Sequence, residues 1–254
     1  MYLINLGQIV EIYLFVLYRQ EGGLMEYYGD SRTLIGSSLQ PNQSVRLYPA
    51  FKRTVEKFLA LVLLIAFAPF IAFIALLIRL DSPGAALFRQ TRIGKDGKPF
   101  TFYKFRSMYE DIDRDAHHAF LKAFVNGDVS EGADERGIFK PVKDNQITSV
   151  GRFLRKTSMD ELPQLLNIIR GEMSFIGPRP NVPAEVEAYK EWHKRRLDVL
   201  PGVTGLAQIN GRSSINFDQI ARYDLEYVEK ESLLTDLRIL FGTIPSVLQG
   251  KGAS

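Results

Sequence analysis

The chain has 254 residues, 46% of them hydrophobic and 24% charged, with a formal charge of +3. That mix excludes a disordered or low-complexity chain. The absence of cysteine excludes a disulfide scaffold, thiolate metal sites and thiol nucleophiles.

Residues 1–45 come first. Tyr2 to Tyr18 is apolar with polar interruptions that include Glu11, and it lacks the basic start and small-residue cleavage site of a signal peptide. Gly22 to Ser44 has the polar, Gly- and Ser-rich composition of a linker. Residues 1–45 form an N-terminal extension to which the sequence assigns no role.

Residues 46–84 carry the membrane signal. From Phe58 to Ile78 the chain runs 21 residues without a charge, about 31 Å as a straight helix and roughly one hydrocarbon core. Few helices of soluble proteins are apolar all round for so long. Pro69 sits mid-run, where it removes a backbone donor and clashes with the preceding turn. Basic residues flank both ends: Arg46, Lys52, Arg53 and Lys57 before, Arg79, Arg89, Arg92, Lys95 and Lys98 after. A simple span would carry one cluster across the bilayer, against the positive-inside tendency. A helix broken at Pro69 that enters and leaves on one side keeps both clusters beside anionic headgroups. The charges therefore favour a re-entrant element over a spanning one, although proline-kinked spans also exist.

Residues 85–254 are expected to form one compact, mostly helical domain docked on the membrane element. Two β-prone runs, ALFRQTRIG and PFTFYKFRSM, flank a Gly-containing turn and predict a hairpin. Glu110 to Phe124 has helical apolar spacing and 127–145 is expected to be an irregular loop. Short helices follow at about 149–156, 160–170, 182–198, 215–229 and 232–248, punctuated by Gly and Pro. The fold class is α+β, mostly helical, with a small β-hairpin and a re-entrant membrane helix hairpin.

The densest polar cluster is Arg155 to Pro180. Leu162, Leu165, Leu166 and Ile169 fall at i, i+3, i+4 and i+7 of an amphipathic helix. Proline costs no intrahelical bond only in a helix's first turn, so Pro163 places Asp160 at or beside the N-cap with Glu161 following. A Ser158–Glu161 capping box is the alternative. Asp and Glu at a helix start usually just cap it. Here, however, Arg155, Arg179 in Gly-Pro-Arg-Pro, and Lys104 and Arg106 after an aromatic strand supply the cations a phosphate site needs. Two adjacent carboxylates would repel a diphosphate unless a divalent cation screens them, which points to Mg²⁺. Carboxylates, cations and a membrane segment together predict phosphoryl chemistry at a bilayer surface. The basic residues cluster around the apolar run and the carboxylates, so nucleic acid is not an expected partner.

Several blocks occur in order: Lys104-Phe105-Arg106-Ser107-Met108, Thr148-Ser149-Val150-Gly151-Arg152, Arg155 through Gln164, Asn167, Gly171-Glu172-Met173-Ser174, Gly177-Pro178-Arg179-Pro180, Pro201 through Gly205, Gly211-Arg212 and Asp224 to Tyr227. Together they resemble the bacterial sugar transferases, monotopic polyprenyl-phosphate phosphoglycosyl transferases that initiate exopolysaccharide, O-antigen and glycan synthesis. The resemblance runs from about Phe51 almost to the C-terminus, roughly four-fifths of the chain. It implies a re-entrant hairpin in the cytoplasmic leaflet of the inner membrane, broken at a proline corresponding to Pro69, with the catalytic domain facing the cytoplasm. It implies a carboxylate at Asp160 that attacks a UDP-sugar, releasing UMP and leaving a covalent phosphosugar-aspartyl intermediate. Undecaprenyl phosphate then takes the sugar phosphate. Glu161 matches the Mg²⁺ partner. Arg155, Arg179 and Lys104 are the expected phosphate-binding residues, with Arg106 and Arg212 as further candidates that ion pairing alone would also explain. Many members have Ser before the hairpin proline, whereas this chain has Ala68, which removes a hydroxyl able to satisfy freed backbone.

A membrane phosphohydrolase and an inactive scaffold for polysaccharide assembly are the alternative functions. A homo-oligomer or association with polysaccharide-assembly partners is compatible with the sequence, and the sugar is not legible in it.

Overall fold

The computed structural model describes residues 47–109, 114–128, 146–211 and 215–248. The N-terminal extension, most of the 127–145 segment and Arg212 lie outside them.

Helix α1 (Leu47–Asp81) runs 35 residues and contains Pro69. It is the one helix among the described residues long and apolar enough to cross a membrane. The chain winds through Pro69 as α-helix and does not separate there into two helices, as the sequence led us to expect. One side of α1 is docked and the other is bare. Ala60, Ile74 and Ile78 are almost fully buried, whereas Phe58 is 70% and Ile65 60% exposed. Ala60 packs with Phe102, Leu165, Ile168 and Met173. Beyond Pro69, Ile74 and Ile78 pack with Phe105 and Leu154. Lipid-facing apolar residues opposite a docked stripe are what a membrane-seated helix requires.

Strands β1 (Leu87–Ile93) and β2 (Pro99–Phe105) form the expected antiparallel hairpin, registered Leu87 to Phe105 and Ile93 to Pro99. The turn between them places Asp96 and Gly97 in the left-handed region, which Asp tolerates and Gly favours. Alternation along β2 puts Phe100, Phe102 and Lys104 on one face. The amphipathic segment appears as α2 (Arg114–Asn126).

Helix α3 (Ser149–Thr157) starts at Thr148, whose hydroxyl accepts the Gly151 amide, and ends at Ser158 in the left-handed conformation. Gly151 is obligatory because a Cβ there would overlap the Ser107 carbonyl. The expected 160–170 helix is in fact a 3₁₀ segment, Met159–Gln164, leading into the short α4 (Leu165–Arg170). Strand β3 (Ser174–Ile176) pairs in parallel with β4 (Gly202–Thr204), a pair too short to show a sequence period. The expected 182–198 helix is two pieces, α5 (Pro183–Glu187) and a 3₁₀ segment, Glu191–Asp198. Helices α6 (Leu206–Asn210), α7 (Phe217–Lys230) and α8 (Leu233–Leu248) complete the chain. A core of Ile176, Val199, Leu206, Tyr227, Val228 and Ile239 holds β3 against α7 and α8. Among the described residues the architecture is mostly helical with two small sheets, consistent with α+β.

Candidate active site

Asp160 and Glu161 sit in the Met159–Gln164 3₁₀ segment, directly after the left-handed Ser158. The sequence placed Asp160 at or beside a helix N-cap. Instead Ser158 ends α3 and begins the next turn itself, so Asp160 is already inside that turn and its carboxylate is not used in capping. The side chain is 3% exposed and meets the Lys104 ammonium at 2.6 Å.

Burial pushes the Asp160 carboxyl above its usual range. The Lys104 ammonium pulls it back, the neighbouring Glu161 pushes it further up, and Arg155 contributes a smaller pull down. The carboxylate is therefore held by a lysine across the site more than by a helix dipole, since α4 has only six residues. Lys104 reaches it because β2 ends beside this turn and the alternating strand points Lys104 the same way as Phe102.

Arg179 lies in the Gly177–Pro180 turn, pairs with Glu161 at 3.2 Å and remains 44% exposed. Its side chain is accessible to an anion while being aimed at the carboxylates. The turn is rigidly seated. Gly177 donates to Thr204 O at 2.9 Å and Gly202 donates to Pro178 O at 2.9 Å. A Cβ on Gly177 would overlap the Leu200 carbonyl.

Two further arginines hold the turn's far end, and neither role is legible in the sequence. Arg92, in β1, donates to Pro180 O at 2.9 Å and lies over the Phe102 ring. Arg196, almost fully buried, donates to Arg179 O at 3.4 Å and pairs with buried Asp224 at 2.6 Å. A buried arginine needs such a partner to offset its desolvation. Partners 88, 17 and 28 residues away leave no local periodicity to detect.

The structure thus brings Lys104, Asp160, Glu161 and Arg179 together, with Arg155 close enough to act on Asp160 electrostatically. It gives Arg106 a different task. That guanidinium is buried and donates to Pro83 O at 2.6 Å and to Ser82 O at 2.7 Å, tying β2 to the end of α1. These bonds give Arg106 a structural role, the alternative that the sequence also left open for it.

No group of three or more His, Asp or Glu capable of holding a metal occurs among the described residues. Magnesium does not require one. It is commonly held by one or two carboxylates together with substrate phosphates. Glu161, partly exposed and beside the open Arg179, fits that mode.

The bacterial sugar transferase family matches residues 47–250. The exopolysaccharide production protein ExoY of Sinorhizobium fredii is 40% identical over 202 residues, 80% of this chain and 87% of the relative. The undecaprenyl-phosphate galactose phosphotransferase of Salmonella typhimurium is 38% identical over 215 residues, 85% of this chain and 44% of the relative. The UDP-glucose:undecaprenyl-phosphate glucose-1-phosphate transferase of Escherichia coli is 39% identical over 201 residues, 76% and 39% of the two chains. The chain therefore spans most of the length of the first relative and under half of the other two.

Proposed function

The chain belongs to the bacterial sugar transferase family, and on that premise we propose that it transfers a sugar 1-phosphate from a UDP-sugar to undecaprenyl phosphate. The observation that carries this is a buried carboxylate paired with Lys104 at 2.6 Å, adjacent to a carboxylate facing an exposed arginine at 3.2 Å. Such a set offers a nucleophile and, beside it, a charge-neutralising site for a diphosphate.

In the first step an Asp160 oxygen attacks the β-phosphorus of the donor. The bond from that phosphorus to the bridging oxygen breaks, and UMP leaves with that oxygen. A new phosphorus–oxygen bond holds the sugar phosphate on Asp160. In the second step a phosphate oxygen of undecaprenyl phosphate attacks the same phosphorus, returning the free carboxylate and giving undecaprenyl-diphosphate-sugar. Splitting one transfer into two in-line displacements is ordinary covalent catalysis, and positioning with charge neutralisation supplies most of the acceleration. Lys104 favours the ionised form of Asp160 against the opposing effect of its burial. Arg179 and Arg155 balance the diphosphate. Magnesium, held by Glu161 with the donor phosphates, would supply further neutralisation between them.

The membrane element is re-entrant in this proposal. Lys52, Glu56 and Ala60 precede Pro69 and Ile74, Ile78 and Asp81 follow it, yet all of them contact the same domain. A spanning helix would carry its last third to the opposite side of the bilayer from its first. The exposed centre around Ile65, Phe67 and Phe70 is the part left for lipid. The catalytic domain then faces the cytoplasm at the inner membrane. Single cysteines introduced at Arg46 and Lys95 of this cysteine-free chain are expected to be labelled only from the cytoplasmic side; labelling from opposite sides would establish a span.

The direct test of function is UMP release by full-length protein in detergent with magnesium, across a panel of UDP-sugars, with and without undecaprenyl phosphate. Turnover with one donor that depends on the lipid is the expected result. Sustained release without lipid would instead identify a hydrolase.

A further inference from the structure

Lys52 lies in the second turn of α1, among the basic residues that the sequence assigned to lipid headgroups. It is instead 7% exposed. Lysine is almost never buried unless paired, and here all three of its N–H donors have acceptors. The ammonium donates to Tyr227 Oη at 2.6 Å and Ile176 O at 3.0 Å, and it pairs with Asp236 at 2.8 Å. Glu231 lies 3.7 Å away. One turn later on the same face of α1, Glu56 accepts from Ser174 Oγ at 2.8 Å and from the Phe175 amide at 3.2 Å.

These contacts converge on β3. Ile176 is its last residue, and the next four are the Gly177–Pro180 turn that carries Arg179. The first third of α1 thus holds the strand that leads into the arginine turn. Beyond Pro69 the same helix does a different job. Ile74 and Ile78 pack with Phe105 and Leu154, and Met159 and Leu162 pack onto that cluster. Phe105 follows Lys104, and Met159 and Leu162 bracket Asp160 and Glu161. One membrane helix therefore grips the arginine half of the site at one end and the carboxylate half at the other.

We propose that Lys52 is a positioning residue for the transfer reaction: it fixes the start of the Arg179 turn to the membrane helix, so that the seating of α1 sets the distance between Arg179 and the carboxylates. This rests on the assignment of Arg179 to the donor's diphosphate. Lys52 touches no reacting atom and acts through Arg179. Three saturated donors on one carbonyl, one phenol and one carboxylate define the direction of the strand in a way that apolar packing does not.

The test is a double-mutant cycle on UDP binding by the full-length protein in detergent, which needs no knowledge of the sugar. Arg179→Ala is expected to weaken UDP binding about 30-fold and Lys52→Met about 10-fold. The double variant is expected to bind no more than about 2-fold worse than Arg179→Ala alone, because a residue acting through Arg179 has nothing left to position. Lys52→Met leaves Asp236 without its cation and endangers folding. Tyr227→Phe therefore runs beside it, deleting one hydroxyl from the same node while keeping the ring; its expected loss is about 3-fold, again absent in the Arg179→Ala background. A parallel cycle with Lys104→Met, on the other half of the site, is expected to be additive. Losses that multiply in the Arg179→Ala background would overturn the positioning role and leave Lys52 a general structural residue. An Arg179→Ala variant that binds UDP as the parent does would instead overturn the assignment of Arg179 itself, so the two failures are distinguishable.

Discussion

On the carboxylate side of the site, Asp160 is buried with its cation in contact, and the flanking Met159 and Leu162 pack against Leu154, Ile74 and Ile78. On the arginine side, Arg179 is nearly half exposed and the backbone beneath it is held by directional hydrogen bonds: Lys52, Arg92 and Arg196 donate to the carbonyls of Ile176, Pro180 and Arg179, and Gly177 donates to Thr204 O. A nucleophile benefits from desolvation and a fixed counter-charge, whereas a residue that must meet an arriving anion has to stay open. An open residue can be held accurately only through its backbone. Under the proposed mechanism, chemistry falls to one half and binding to the other.

The largest effect should come from the chemical half. Asp160→Asn is expected to lower turnover by at least about 10³-fold while leaving UDP affinity within about 3-fold, since it removes the nucleophile but little binding. Steady-state UMP release and equilibrium binding check this, and a comparable loss in both would erase the division. Arg179→Ala should lower kcat/KM by about 10²-fold, as removal of one preorganised charge-neutralising group commonly does, with UDP binding falling in step. Kinetics at several donor concentrations separates this from a defect in turnover alone. Between the two halves lies Ile168, fully buried among α1, β2 and α4. Ile168→Ala should cost about 2–5 kcal/mol of stability, measurable by denaturation in detergent, with catalytic constants of the folded fraction little changed.

Smaller effects concern ionisation. Burial raises the Asp160 carboxyl, so the acid limb of kcat/KM should lie above the ordinary aspartate range, and Lys104→Met should shift it further toward neutral pH. A downward shift would show that Lys104 does not support the ionised form. The linked stability has a definite sign. A carboxyl whose folded pKa is raised contributes stability below its unfolded pKa and loses it as pH rises through the folded value. The ionised Asp160 therefore costs stability at neutral pH, and Asp160→Asn should melt no lower than the parent there.

The carboxylate half was the more legible in the sequence. Leu162, Leu165, Leu166 and Ile169 announced a helical face, and Pro163 placed its start to within a turn. What escaped was Ser158 in the left-handed region, a conformation uncommon for residues other than glycine, and with it the 3₁₀ form of the Asp160 turn. The apolar run of α1 was visible from its length alone, and Gly-Pro-Arg-Pro marked Arg179. The supports of the arginine half were not visible. Lys52 had the appearance of any basic residue flanking an apolar helix, because its partners Ile176, Tyr227 and Asp236 lie more than a hundred residues further along the chain. Arg106 left two readings open for the converse reason: its basic side chain stands beside the motif, whereas the carbonyls just after α1 that it bonds lie more than twenty residues before it.

The central claim is that Asp160 carries the sugar phosphate between donor and lipid, and intact-protein mass spectrometry tests it most directly. Full-length protein mixed with a UDP-sugar it turns over and with magnesium, but with no undecaprenyl phosphate, should gain the mass of one sugar phosphate. The adduct should map to the peptide containing Asp160, disappear when undecaprenyl phosphate is added, and be absent from Asp160→Asn. Lipid-dependent turnover with no adduct under rapid quench, or an adduct that persists in Asp160→Asn, would contradict it.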